Sequence, residues 1–159
     1  MTLKSKIMSL ISFSYIYAFP AAGATGHVTS TSKEGTIRVI VEGVADSEGS
    51  IRLSLDRDES SFEGITHEDF RVGSVAASAG KTMYEFRNIP FGKYAIKLFH
   101  DANNNDKLDL NLLGIPAEAY GISNDARGMF GLPGFAEAAF GHDHTESVLT
   151  IHVRPHLSH

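Results

Sequence analysis

The sequence predicts an all-β domain: an antiparallel Greek-key β-sandwich, prealbumin-like or Ig-like, with one long packed loop carrying a short helix. Three observations lead there. Apolar and polar residues alternate over short runs, turns rich in Gly, Pro, Asp and Asn separate the runs, and helical periodicity surfaces only once. Strands spaced in this way favour a sandwich over alternating strand–helix units.

The first run begins at Gly35, where Ile37, Val39 and Val41 alternate with Thr36, Arg38 and Glu42. After Asp46-Ser47-Glu48-Gly49 the alternation returns as Ile51, Leu53 and Leu55 against Arg52, Ser54 and Asp56, which predicts a hairpin or meander. A weaker strand is expected from Arg71 to Ala77. Lys81 to Ile89 puts Tyr84 and Phe86 on one face, and Lys93 to Phe99 does the same for Tyr94, Ile96 and Leu98. Between those two strands Pro90 and Gly92 make a tight corner, and Tyr94 is spaced to return its hydroxyl to the backbone as a tyrosine corner. The plainer alternative is a Pro-Gly turn beside a core tyrosine. The last strand runs from Ser147 to Arg154, with Leu149, Ile151 and Val153 inward. Before it lie about 45 residues with little regular pattern, a length that marks functional or disordered loops. Leu112, Leu113, Ile115, Tyr120, Met129, Phe130, Phe135 and Phe140 make this stretch too apolar for disorder, and Phe135 to Phe140 supplies the helix.

At 159 residues, 42% hydrophobic and 21% charged, the chain has the size and apolar content of one core. The absence of Cys excludes disulfides, thiolate metal sites and Cys nucleophiles. A formal net charge of −5 argues against a nucleic-acid partner, which needs a basic face.

Lys4 and Lys6 precede an apolar run from Ile7 to Phe19, and Ala22-Gly23-Ala24 follows in the pattern of a cleavage site. This is the order of a secretory signal peptide, and the run is shorter than the ~20 residues a membrane-spanning helix needs. The expected organisation is a signal peptide over 1–24, a flexible leader over 25–34, the sandwich over 35–155 and a tail over 156–159. The expected location is extracytoplasmic, in the periplasm or secreted, without a transmembrane helix in the mature chain.

The segment His100-Asp101-Ala102-Asn103-Asn104-Asn105-Asp106-Lys107-Leu108-Asp109 continues through Leu113-Gly114-Ile115-Pro116, Tyr120-Gly121-Ile122-Ser123-Asn124, Ala126-Arg127-Gly128 and Phe130-Gly131. Together with Gly92-Lys93-Tyr94-Ala95, it resembles the bacterial secreted domain-of-unknown-function family numbered 2141. The resemblance runs from about Thr36 to Arg154 and implies a secreted or periplasmic β-sandwich with no established activity. Similar chains often carry Gly inside the Asp/Asn loop, where this one has Asn104 and Asp106.

The same loop is the strongest chemical candidate. Asp101, Asn103, Asn105, the Lys107 carbonyl and Asp109 match the first, third, fifth, seventh and ninth positions of a calcium loop. Asp106 stands where Gly is usual and Leu112 where an EF-hand has its Glu, so the expectation is a weak Ca2+ site, completed by Glu118 or Asp125. The alternative is a run of Asx turns in which Asp and Asn cap their own backbone.

His142 and His144, with His152, His156 and His159 beyond them, offer a second candidate, a transition-metal site, against a solvated edge and tail. His100 shares a face with Tyr94, Ile96 and Leu98 and is expected to be partly buried, orienting the start of the Asp/Asn loop. Its alternative is a ligand-binding or acid–base role. Tyr120, Asn124, Asp125, Arg127 and Phe130 form a third cluster able to hydrogen-bond and stack on a sugar or peptide, or else to pack the loop. The chain has no nucleophile elbow, phosphate loop or HExxH motif.

These features lead to an exported, non-catalytic ligand-binding or interaction module whose partner is a small molecule, glycan or protein, with Ca2+ as its one expected cofactor. The alternative is an extracytoplasmic hydrolase without a readable motif, its site near His100 and the 110–140 loop.

Overall fold

A computed structural model describes residues 33–64, 70–128 and 133–154. The expected signal peptide over 1–24, the leader as far as 32, Met129, Phe130, and the tail with His156 and His159 lie outside the described residues. The strands are β1 (Glu34–Val44), β2 (Ser50–Asp56), β3 (Arg71–Ala76), β4 (Gly80–Pro90), β5 (Gly92–Asp101), β6 (Tyr120–Ile122), β7 (Phe140–His142) and β8 (Glu146–His152). Short helices α1 (Glu59–Phe62) and α2 (Phe135–Ala138) and a 3-10 turn at Ser123–Asp125 lie between them.

Two sheets form the sandwich, one in the order β4-β1-β8 and the other β3-β2-β5-β6, with β7 beside the start of β5. The pairs are antiparallel except β1 with β8, which run parallel. A parallel pair requires a long crossover, which the intervening chain supplies.

The expected β1–β2 hairpin does not form: β1 lies in the first sheet and β2 in the second. Alternation reports which face is buried and carries no information about the neighbouring strand. The turn after Val44 steps between layers instead. β4 and β5 change sheets in the same manner, with Phe91 alone between them. There the Tyr94 hydroxyl donates to the Pro90 carbonyl at 2.8 Å, and the Phe91 amide donates to the Lys33 carbonyl at 2.8 Å.

The inward residues of both sheets meet in one core, with Ile37, Val39, Val41, Ile51, Leu55, Ile96 and Ile151 fully buried. A smaller apolar cluster lies on the opposite side of the second sheet. Here Phe62 of α1 and Ala138 of α2 pack with Ala95 and Ile122, alongside Tyr120, Ala126 and Phe135. Asp58 caps α1 by accepting the Ser61 amide at 2.9 Å, a bond that holds its carboxyl below the usual carboxylate range. The helical cover leaves part of the sheet's outer face open.

Candidate functional site

Strand register determines which side chains stand on that face. Arg52 pairs with Ser74 on β3 and with Phe99 on β5, and Phe99 pairs with Tyr120 on β6. The neighbouring row is Val72, Ser54, Lys97 and Ile122. Period two turns both rows away from the main core. At one end α1 and α2 cover the face, and at the other Asp106 and Leu108 of the loop after β5 rise beside it. Between them is an open pocket of about 700 Å³. Gly73 belongs to the inward set, and the Tyr84 ring lies so close beneath it that a Cβ would collide.

Each cation at this pocket has an anion beside it. Arg52 donates through Nε to the buried Asp101 carboxylate at 3.3 Å, and its terminal nitrogen pairs with Asp106. Lys97 Nζ lies 3.3 Å from the buried Asp56 carboxylate and donates to the Phe62 carbonyl at 2.6 Å. It also stands 5.0 Å from the centre of the Phe62 ring, so Lys97 fastens α1 to the sheet. Ser54 donates to Asp56 at 3.3 Å.

The Asp/Asn loop is tied to its own backbone. Asp101 accepts the amides of Asn105 at 3.0 Å and Asp106 at 2.9 Å, Asn103 accepts that of Asn105 at 3.1 Å, and Asn105 accepts that of Lys107 at 2.9 Å. The side-chain amides of Asn103 and Asn105 donate to Asp109 at 2.8 and 2.9 Å. Glu118 clamps the two ends, accepting from the amides of Ala102 and Asp109 at 3.1 Å each. Asn104 and Asp106 take φ of 54° and 65°, the left-handed conformation that Asn and Asp tolerate better than most residues. These are the bonds of an Asx-turn scaffold. Among the described residues, no group of three or more His, Cys, Asp or Glu side chains is placed to hold a metal ion.

His100 is buried, as its face implies. Its Nε2 lies 2.7 Å from the Glu48 carbonyl, so it secures the β1–β2 turn, whose Gly49 lies against the backbone of Asp101 and Ala102 at the start of the Asp/Asn loop. His142 and His144 do not converge: His142 is fully buried, edge-on to the rings of Phe91 and Tyr94, and His144 is exposed beside Asp143. The chain bends after β7, so two-residue spacing no longer puts them on one side. Ser147 Oγ lies 2.7 Å from His142 Nδ1, a serine–histidine pair whose imidazole is sealed inside the protein.

The third cluster divides. Tyr120 lines the pocket. Asn124, at φ 60°, donates to the carbonyls of Glu137 at 3.3 Å and Ala139 at 3.0 Å, which holds α2 against the 3-10 turn. Asp125 accepts the His152 amide at 3.0 Å and faces its ring Nδ1 at 2.7 Å. Burial pushes the Asp125 carboxyl up, but the His152 bonds and charge outweigh it and hold the group below its ordinary value. Arg127 is exposed, and Phe130 lies outside the described residues. The pocket residues that sequence reasoning passed over are Arg52, Ser54, Ser74, Lys97 and Phe99. One signal for them was present: Phe99 is the aromatic residue on the outward parity of β5, which it shares with Lys93 and Lys97.

Fold and site together define a two-sheet β-sandwich with a partly covered outer face and an open pocket on it. Residues 39–150 match the family model described as uncharacterized protein conserved in bacteria (DUF2141), and the chain belongs to that family. The matched span contains every pocket residue named above. No curated protein and no solved structure matches the chain.

Proposed function

We propose that this is an exported, non-catalytic binding module whose ligand site is the pocket on the outer face of the β3-β2-β5-β6 sheet. The pocket itself carries the reading. Its volume of about 700 Å³ falls within the ~300–1,000 Å³ of small-ligand sites, and its floor joins aromatic and aliphatic surface to a few fixed polar groups. Arg52 and Lys97 are each held by a buried carboxylate, which lowers the cost of ordering them on binding. Export rests on the arrangement of Lys4, Lys6, the apolar run and Ala22-Gly23-Ala24.

Amide NMR spectra recorded with a library of small fragments test the assignment. Shift changes should cluster on Arg52, Ser74, Phe99 and Tyr120, and Ser74→Trp, which fills the pocket from an exposed edge strand, should suppress them. Changes confined to the 110–116 loop, where Leu112 and Leu113 are exposed, would move the site there.

A further inference from the structure

We infer that the ligand of this pocket is an uncharged carbohydrate, a short oligosaccharide laid across Phe99 and Tyr120; the inference rests on the pocket being a binding site. The charge pattern excludes the simpler choices. An anionic ligand would need a free cation, yet Arg52 is held by Asp101 and Asp106, and Lys97 by Asp56 and the Phe62 carbonyl. Desolvating an acid here would mean breaking an existing pair before forming a new one. A cationic ligand would find the lining carboxylate Asp106 already paired with Arg52 and would have to displace that guanidinium. The local charge is close to balanced, which suits a neutral guest.

The floor then separates a sugar from a wholly apolar molecule. Phe99 and Tyr120 face each other across β5 and β6, both half-buried, and present adjacent aromatic surface. Ring faces receive the C–H side of a pyranose, while its hydroxyl rim needs donors and acceptors at the edge. That rim is provided by Ser74 and Arg52 in the same row and by Asp106 of the adjoining loop. An apolar guest would leave the Arg52 and Asp106 groups desolvated without new partners, which is costly. The pocket is open to solvent, so a chain longer than one ring can extend past Ser74 at the edge strand.

The test uses the full chain and three probes: a panel of neutral tetrasaccharides (cello-, chito-, manno- and malto-), tetragalacturonate as the acidic counterpart, and indole as an apolar ring. Amide NMR titration should show at least one neutral tetrasaccharide perturbing Phe99 and Tyr120, with tetragalacturonate binding more weakly. Tyr120→Ala should weaken binding by about tenfold, the loss of one stacking contact, while Tyr120→Phe retains it. Should Tyr120→Ala fail to fold, Ser74→Trp gives the blocked site without touching the floor. Indole bound in the pocket with no sugar bound, or tetragalacturonate bound tightest, overturns the carbohydrate and leaves the binding module standing. No perturbation of the pocket by any of the three overturns both.

Discussion

Arg52 reaches from the middle of β2 to the buried carboxylate of Asp101 at the end of β5, 3.3 Å away, and the same guanidinium pairs with Asp106 in the loop beyond. One side chain thereby balances two of the loop's carboxylates and joins the pocket floor to its rim. The loop expected to hold a metal cation already has an organic one beside its buried carboxylate.

This relationship makes Arg52→Met informative. The substitution keeps the apolar stem and strands Asp101 in the interior, so unfolding in urea should show a loss of roughly 2–4 kcal/mol. The wild type should melt at the same temperature in EDTA and in millimolar calcium. Arg52→Met, with Asp101 and Asp106 left unbalanced, should melt higher in calcium than in EDTA. A calcium-dependent rise in the wild type that the variant does not enlarge would show that the guanidinium and the ion do not compete for the loop.

Tyr94 bridges the passage between the sheets. Tyr94→Phe keeps the ring against Phe70 and deletes the 2.8 Å bond to the Pro90 carbonyl, leaving that acceptor short of a donor. The expected cost is ~1 kcal/mol, read as a shift of the denaturation midpoint without a change in slope. An unchanged midpoint would mean that water replaces the hydroxyl at no loss.

What the sequence made legible divides along a physical line. Faces were readable, because a period-two pattern states directly which side chains are buried: Ile37, Val39 and Val41, and likewise Ile51, Leu53 and Leu55, all lie in the core. Partners were not, so β1 and β2 were expected side by side although they lie in different sheets. β6 and β7 are three residues each, too short to display a period, and they were hidden inside the long excursion. The pocket was hidden for a related reason. Ser54, Lys97 and Arg52 look like ordinary solvent-facing residues until register aligns them with Phe99 and Tyr120 from other strands. The Asp/Asn loop is legible directly, since its chemistry is local in sequence.

Export makes a chemical prediction at the N-terminus. Protein recovered from its native host should have the intact mass of a chain beginning at Thr25, because Ala22 and Ala24 are the small residues a signal peptidase accepts. Full-length chain recovered from the cytosol would count against both the signal and the extracytoplasmic location.

Asp125 and His152 give the molecule a predictable response to acid. The Asp125 carboxylate accepts the His152 amide and faces its ring nitrogen, while the other ring nitrogen lies 3.6 Å from Glu42, itself paired with Lys81 at 3.2 Å. Burial opposes ionisation, but the His152 bonds and charge, with Arg154 nearby, outweigh it, so the folded-state value lies below the ordinary carboxyl value. A carboxyl depressed on folding contributes stability that is present above its unfolded value and lost as pH falls through the folded one. Asp125→Asn preserves the shape of the side chain and removes the charge. The variant should therefore melt below the wild type near neutral pH, and the gap should close as pH falls below the ordinary carboxylate range. Melting curves from neutrality into that acid range measure the gap directly. A gap independent of pH would assign the latch to hydrogen-bond shape alone, whereas one that widens in acid would contradict the depressed carboxyl. Because Asp125 also sits at φ 49° next to Asn124 at φ 60°, loss of the latch should loosen this left-handed turn first. Amide exchange at Ala126 should then rise before that of the core strands.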